Sequence, residues 1–282
     1  MIAITGATGQ LGQHVIESLL KTVPASQIVA IVRNATKAAA LRQQGITVRE
    51  ADYNNEAAFT TALQGIDKLL LISSSEVGQR SAQHRNVINA AMAADVKFIA
   101  YTSLLHADRS PLGLHVEHVE TEKMLADSGI PHTLLRNGWY TENYLASAPA
   151  ALEHGVFIGA AGEGKIASAT RADYAAAAAR VISEEGHAGQ VYELAGDEAW
   201  TLSQLAAELA KQSGKNVVYQ NLSEADFAAA LKGVGLPAGL ADMLADSDVG
   251  ASNGGLFDDS KTLSTLTGRS TTPLAESVKN IL

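Results

Sequence analysis

Over the first 136 residues, short apolar runs alternate with longer segments that are apolar on one face only. The runs are Ile2–Thr5, Ile28–Val32, Ile46–Arg49, Lys68–Ile72, Lys97–Thr102 and Thr133–Leu135. They are continuous rather than alternating, the pattern of strands covered on both faces. Between them, Leu11, Val15 and Leu19, and then Val87, Ile88 and Ala91, recur at helical spacing. Strand and helix in this rhythm predict an α/β fold with a doubly wound parallel sheet. After Arg136 the rhythm changes. Residues 139–153 read as helix, the glycines at 155, 159, 162 and 164 as a turn, Asp173–Ser183 as an alanine-rich helix and Val191–Leu194 as a strand. Segments 201–212, 223–233, 238–246, 258–266 and 274–281 read as helices, and Asp246–Gly255 as a flexible loop.

Composition narrows the picture by exclusion. With 46% hydrophobic residues in 282, the chain can bury a sizeable core. A net charge of −9, with no basic block, argues against a nucleic-acid partner, which needs a cationic face. The absence of cysteine removes disulfides, thiolate nucleophiles, cysteine zinc sites and iron–sulfur clusters. His115 and His118 stand three apart without a companion ligand set, so no metal is expected. No apolar run approaches the roughly 18 residues of a membrane span, and no secretion leader is visible. The expectation is a cytoplasmic protein with no membrane span.

The most informative segment is Gly6-Ala7-Thr8-Gly9-Gln10-Leu11-Gly12, between the first apolar run and the first amphipathic helix. Glycines there let the backbone turn sharply and approach a pyrophosphate, and the helix N-terminus offers unpaired N–H groups to the anion. The alternative is a plain strand-to-helix turn. In such a unit the end of the second strand meets the adenosine ribose, where NAD enzymes place a carboxylate. Here Arg33 follows the strand, and no Asp or Glu lies between Glu17 and Arg33. A guanidinium fork suits a 2′-phosphate, and Lys37 offers a second charge, so NADP(H) is the expected cofactor. A solvated loop arginine is the competing reading.

The spacing Gly-x-x-Gly-x-x-Gly resembles the extended and atypical short-chain dehydrogenase/reductases. Ala30–Asn34, Ala51–Tyr53, Leu71–Ser75, Ala100–Ser103 and Leu135–Tyr140 resemble the NmrA-like group within them, and the likeness covers the whole chain. It implies a Rossmann-type sheet with a smaller, mostly helical C-terminal substrate domain. The NADP-binding domain would comprise residues 1–137 and about 165–195, and the substrate domain about 138–164 and 196–282. It also implies NADPH-dependent reduction of a small aromatic or quinone substrate. Asp52 would lie beside the adenine, unless it is a turn or helix-capping residue. Ser73, Ser74, Ser75, Asn137, Gly138, Trp139, Tyr140, Thr141 and Glu142 would line the cofactor. Trp139 and Tyr140 would floor an aromatic pocket, or else belong to the core. A second reading is an NADP(H)-binding redox sensor without turnover. The oligomeric state stays open, a homo-oligomer included.

The usual enzymes of that superfamily carry Tyr-x-x-x-Lys on the helix after the fifth strand. Here His118 and Glu122 hold those positions, either as a weak acid pair or on a solvated helix face. A ketone reduced by hydride becomes an alkoxide and needs a placed proton donor. A quinone becomes a phenolate, with a pKa near that of tyrosine, about 10. It needs orientation and a hydrogen bond or two at its oxygens, for which Tyr101, Asn137 and Tyr140 are the candidates.

Overall fold

A computed structural model describes residues 1–282, which divide into two compact units. The first comprises Met1–Leu104, Val116–Asn137 and Arg171–Tyr192. Its strands are β1 (Ile2–Ile4), β2 (Ile28–Val32), β3 (Thr47–Glu50), β4 (Lys68–Leu71), β5 (Phe98–Leu104) and β6 (His132–Asn137). A last strand, β8 (Val191–Leu194), completes a seven-stranded sheet ordered β3-β2-β1-β4-β5-β6-β8. Neighbours from β3 to β6 pair parallel, with Ile4 beside Ala30 on one side and Leu70 on the other. The expected doubly wound parallel sheet is therefore present.

Chain order explains where a ligand can go. From β1 the chain steps outward through β2 and β3, then returns to the other side of β1 as β4. At such a reversal of strand order, beyond the carboxyl ends of the strands, open α/β sheets bind their ligands. All five residues of β2 are buried, as strands with helices on both faces require. Helix α1 (Gln10–Leu19) turns Leu11, Val15, Ile16 and Leu19 inward and lies against α8 (Arg171–Ser183), whose buried alanines allow close approach. The other helices of this unit are α2 (Ala39–Gln43), α3 (Glu56–Ala62), α4 (Arg80–Ala93) and α5 (His115–Ser128).

The second unit comprises Leu105–His115, Gly138–Thr170 and Glu193–Leu282. The segment 139–153 forms two helices rather than one, α6 (Thr141–Leu145) and α7 (Ala148–His154), because Pro149 starts a new helix. Strands β7 (Val156–Gly159) and β9 (Val218–Asn221) pair parallel; neither was read from the sequence, since each has four residues and β9 is largely exposed. Helix α9 (Leu202–Ser213) opens with a capping box of Thr201 and Gln204. Then come α10 (Glu224–Gly233), α11 (Ala238–Ser252), α12 (Thr262–Thr267) and α13 (Leu274–Lys279). No helix of the chain is long and apolar enough to cross a membrane.

Asp246–Gly255 is not a flexible loop. Residues 246–252 are the last two turns of α11, with Ser247, Asp248, Gly250 and Ala251 buried. A Cβ on Gly250 would come within 2.7 Å of the Leu112 side chain, so the glycine serves close contact rather than mobility. The helix then stops in a Schellman motif. Gly254 is left-handed at φ 82°, its N–H bonds to the Ala251 carbonyl, and the Gly255 N–H bonds to the Gly250 carbonyl.

Candidate active site

The glycine loop leaves β1 at the point where the sheet changes direction. Thr5 fastens its base. The Thr5 N–H donates to the Leu70 carbonyl at 3.1 Å, and its Oγ1 accepts from the Ile72 N–H at 2.9 Å. The Tyr53 hydroxyl lies 2.8 Å from Thr5 Oγ1 and donates to the Ile72 carbonyl at 2.7 Å. Burial pushes the Tyr53 phenol well above its usual range, so it stays a donor. The exits of β1 and β4 are thus knotted together by two side chains that the sequence alone did not single out.

Gly6 takes φ 59°, and the Gly9 N–H closes the turn on the Gly6 carbonyl at 2.8 Å. Gly12 is required by the fold: a Cβ there would sit 2.3 Å from the Gly6 carbonyl oxygen. Gly9 differs. It is exposed, its backbone is extended, and a Cβ would meet only the Gly6 oxygen, at 3.0 Å. It also precedes a helix of 10 residues that has no side-chain cap. An uncapped N-terminus beside an exposed glycine is a ready anion site.

Arg33 follows β2 as expected, its side chain 65% exposed and 3.0 Å from Glu76 Oε1. Lys37 is exposed as well. Asp52 serves a turn: its Oδ1 accepts from the Asn54 N–H at 2.8 Å. Beyond β4, the Ser73 N–H donates to Thr102 Oγ1 at 2.8 Å, Ser74 is buried, and Ser75 is exposed. Asn137 ends β6 beside Leu104, 5% exposed, and its side-chain oxygen is buried without a hydrogen-bond partner. An unsatisfied buried acceptor costs about 1–3 kcal/mol, so this atom has chemistry left for a ligand. The uncapped helix end, the exposed Gly9 and the orphaned Asn137 oxygen together fit a dinucleotide.

Three expectations need correction. Tyr101 has no accessible surface, so it offers no hydroxyl to a substrate; its Oη lies 2.7 Å from His118 Nδ1, inside the core. His118 and Glu122 do not form a solvated face. His118 is buried, and burial with the nearby Arg80 charge holds its imidazole well below the usual range, hence neutral. Glu122 makes a bidentate pair with Arg136, at 3.0 and 2.7 Å, and accepts from Ser103 Oγ at 2.6 Å. Nor do the two side chains pair with one another as an acid: each has its own partner.

In the second unit, the Gly138 N–H donates to the Leu194 carbonyl at 2.7 Å, and Tyr140 bridges Ala169. Trp139, Tyr140 and Glu142 are half-buried; Thr141 is buried, its hydroxyl 2.7 Å from Ser168 Oγ. This unit also holds a cavity of about 390 Å³ lined by His106, Arg109, Phe257 and Asp258 among others. His106, left-handed at φ 52°, sets its Nε2 3.3 Å from Asp258 Oδ2. This cavity is not legible in the sequence, because its walls are about 150 residues apart. No group of three or more His, Asp or Glu side chains is placed to hold a metal.

Comparison with known proteins decides the family: the NmrA-like profile matches residues 1–272. The chain belongs to the NmrA-like family. This member is 84% identical over 281 residues to quinone oxidoreductase 2 of Escherichia coli, covering 100% of this chain and 98% of that one. The crystal structure of the E. coli NADPH-dependent quinone oxidoreductase with NADPH matches with a TM-score of 0.98, over 100% and 99% of the two chains. The Citrobacter triphenylmethane reductase, solved with NADP(H), is 42% identical and matches with a TM-score of 0.96 over the whole of both chains.

Proposed function

We propose that this NmrA-like protein reduces quinones to hydroquinones with NADPH, by direct hydride transfer. The observation that carries the proposal is the 84% identity, end to end, with an enzyme named for this reaction and solved with NADPH. The residue-level geometry agrees with it. The Gly6–Gly12 loop and the start of α1 would hold the pyrophosphate, and Arg33 the 2′-phosphate. Ser73–Ser75 and Asn137 would flank the rest of the cofactor. In the second unit Trp139 and Tyr140 are the candidates to contact an aromatic acceptor.

When bound, NADPH supplies the hydride. The protein's part is to orient the acceptor, and the placement of His118 and Glu122 supports a site without a side-chain acid. Both side chains are committed to partners within the fold, His118 to the buried Tyr101 and Glu122 to the part-buried Arg136. An acceptor whose reduced form is a stable phenolate suits such a site; a ketone does not. The test is to mix protein and NADPH with a panel of quinones and simple ketones and follow nicotinamide absorbance. Quinone turnover with inert ketones supports the reading. NADPH binding without turnover of any quinone would replace it by the redox-sensor reading.

A further inference from the structure

The Ser73–Ser75 loop is held by side chains rather than by a strand ladder. Ser74 is gripped on both sides of its own backbone. Its N–H donates to His84 Nε2 at 3.0 Å, and its carbonyl accepts from Arg80 Nε at 2.8 Å. Arg80 and His84 stand one turn apart at the start of α4, so a single helix face reaches both groups. Both side chains are buried.

The surroundings fix the state of the histidine. A backbone N–H can only donate, so Nε2 must accept, and the proton of the neutral ring lies on Nδ1. That N–H donates to Thr121 Oγ1 at 2.9 Å, and the Thr121 hydroxyl donates in turn to the Glu117 carbonyl at 2.8 Å. Burial and the Arg80 charge bring the His84 pKa down to about 3, which keeps the ring neutral. Arg80 is itself balanced by Glu117 at 3.4 Å, and the His84 ring meets Tyr101 edge-on at 5.4 Å between centroids. Every donor and acceptor in this chain has one consistent role.

We propose that Arg80 and His84 are positioning residues for the cofactor: a peptide clamp that holds Ser74, and with it the Ser73–Ser75 loop, in the conformation that receives NADPH. The inference rests on the reading that this loop faces the cofactor. Ser73 is held separately by Thr102, but without the clamp Ser74 and the exposed Ser75 would sample more conformations, and binding would have to order them.

The experiment measures NADPH dissociation constants by nicotinamide fluorescence, with kcat for quinone reduction at saturating NADPH, on four variants. His84→Leu removes the acceptor and is expected to raise the Kd roughly tenfold, with kcat within about twofold. His84→Gln carries an oxygen to about the place of Nε2 and should return the Kd to within about threefold of wild type. His84→Asn is too short to reach Ser74 and should behave like the leucine variant. It keeps the test decisive if His84→Leu does not fold. Ser75→Glu, an exposed site on the loop, tests the underlying reading by placing a negative charge beside an anionic ligand. If His84→Leu or His84→Asn binds NADPH normally while Ser75→Glu does not, the clamp is wrong and the loop assignment stands. If Ser75→Glu leaves the Kd unchanged, the loop does not face the cofactor, and the clamp proposal falls with it. Equal effects of Leu and Gln on kcat and melting temperature, with native Kd values, would make His84 merely structural.

Discussion

Replacing Arg33 with alanine should separate the two nicotinamide cofactors. A charge-assisted contact to a phosphate contributes about 1.5–3 kcal/mol. Part of this is offset, because the guanidinium must loosen its pair with Glu76. That pair joins side chains 65% and 43% exposed, a setting in which ion pairs contribute about 0–1 kcal/mol. The net is about 0.5–3 kcal/mol, or roughly 2- to 150-fold in affinity. The Kd for NADPH should rise by that factor in Arg33→Ala, and the Kd for NADH should stay within about twofold. Glu76→Gln supplies the reciprocal arm. It removes the competitor for the guanidinium and should tighten NADPH by up to about fivefold, without changing NADH. Fluorescence titration of both cofactors at two salt concentrations reads all three proteins, since the phosphate contact weakens with salt and the ribose contact does not. Equal loss of both cofactors in Arg33→Ala would refute the reasoning and make Arg33 a support of the β2 exit.

Asn137→Ala should lower kcat/KM at least tenfold while leaving the cofactor-free protein as stable as before or up to about 1 kcal/mol more stable, because it deletes an unsatisfied buried acceptor; thermal melts and rates on the same samples check this. Glu122→Ala removes the bidentate partner of the part-buried Arg136 and should cost about 1.5–3 kcal/mol in urea unfolding, with kcat per folded molecule within about tenfold of wild type. Asp248, raised by burial from 3.8 to about 6, binds its proton more tightly folded than unfolded, so its stabilising contribution is complete below about pH 3.8 and lost as pH rises through about 6. Between pH 4 and 7 Asp248→Asn should therefore gain on wild type by on the order of 3 kcal/mol, measured by urea melts at both ends.

The sheet was legible because strands with helices on both faces write their burial into every residue, as β2 does with Ile-Val-Ala-Ile-Val. The glycine spacing was legible because its geometry is local. What depended on distant partners was not. Glu122 and His118 read as solvated because charged residues usually are, and nothing near them in sequence announces Arg136 or Tyr101. Tyr101 read as a reactive hydroxyl because it stands near the end of β5, yet that strand is buried along most of its length. The end of α11 looked like loop because Asp, Ser and Gly usually mark one. In the fold their small size admits Leu112, and the paired glycines form a helix stop.

The acid positions bear on substrate choice. At 118 and 122, one helical turn apart, the resemblance leads one to expect a proton-donating pair. The chain keeps two ionisable side chains there but gives each an internal task, His118 against Tyr101 and Glu122 against Arg136 and Ser103. A general acid contributes about 10²- to 10⁴-fold, or roughly 3–5 kcal/mol of barrier. A ketone would have to do without that contribution, although its alkoxide is far more basic than a phenolate and needs a placed donor. A quinone has no such need, since its phenolate, with a pKa near 10, can wait for solvent. The missing acid would thus act as a filter. On the proposed reading it would suppress carbonyl reduction by about the factor a donor supplies, and leave hydride acceptors with stable anionic products untouched. Restoring a tyrosine at 118 and a lysine at 122 would not by itself undo this filter, because both side chains would enter a buried site built around a neutral imidazole and an anion paired to Arg136.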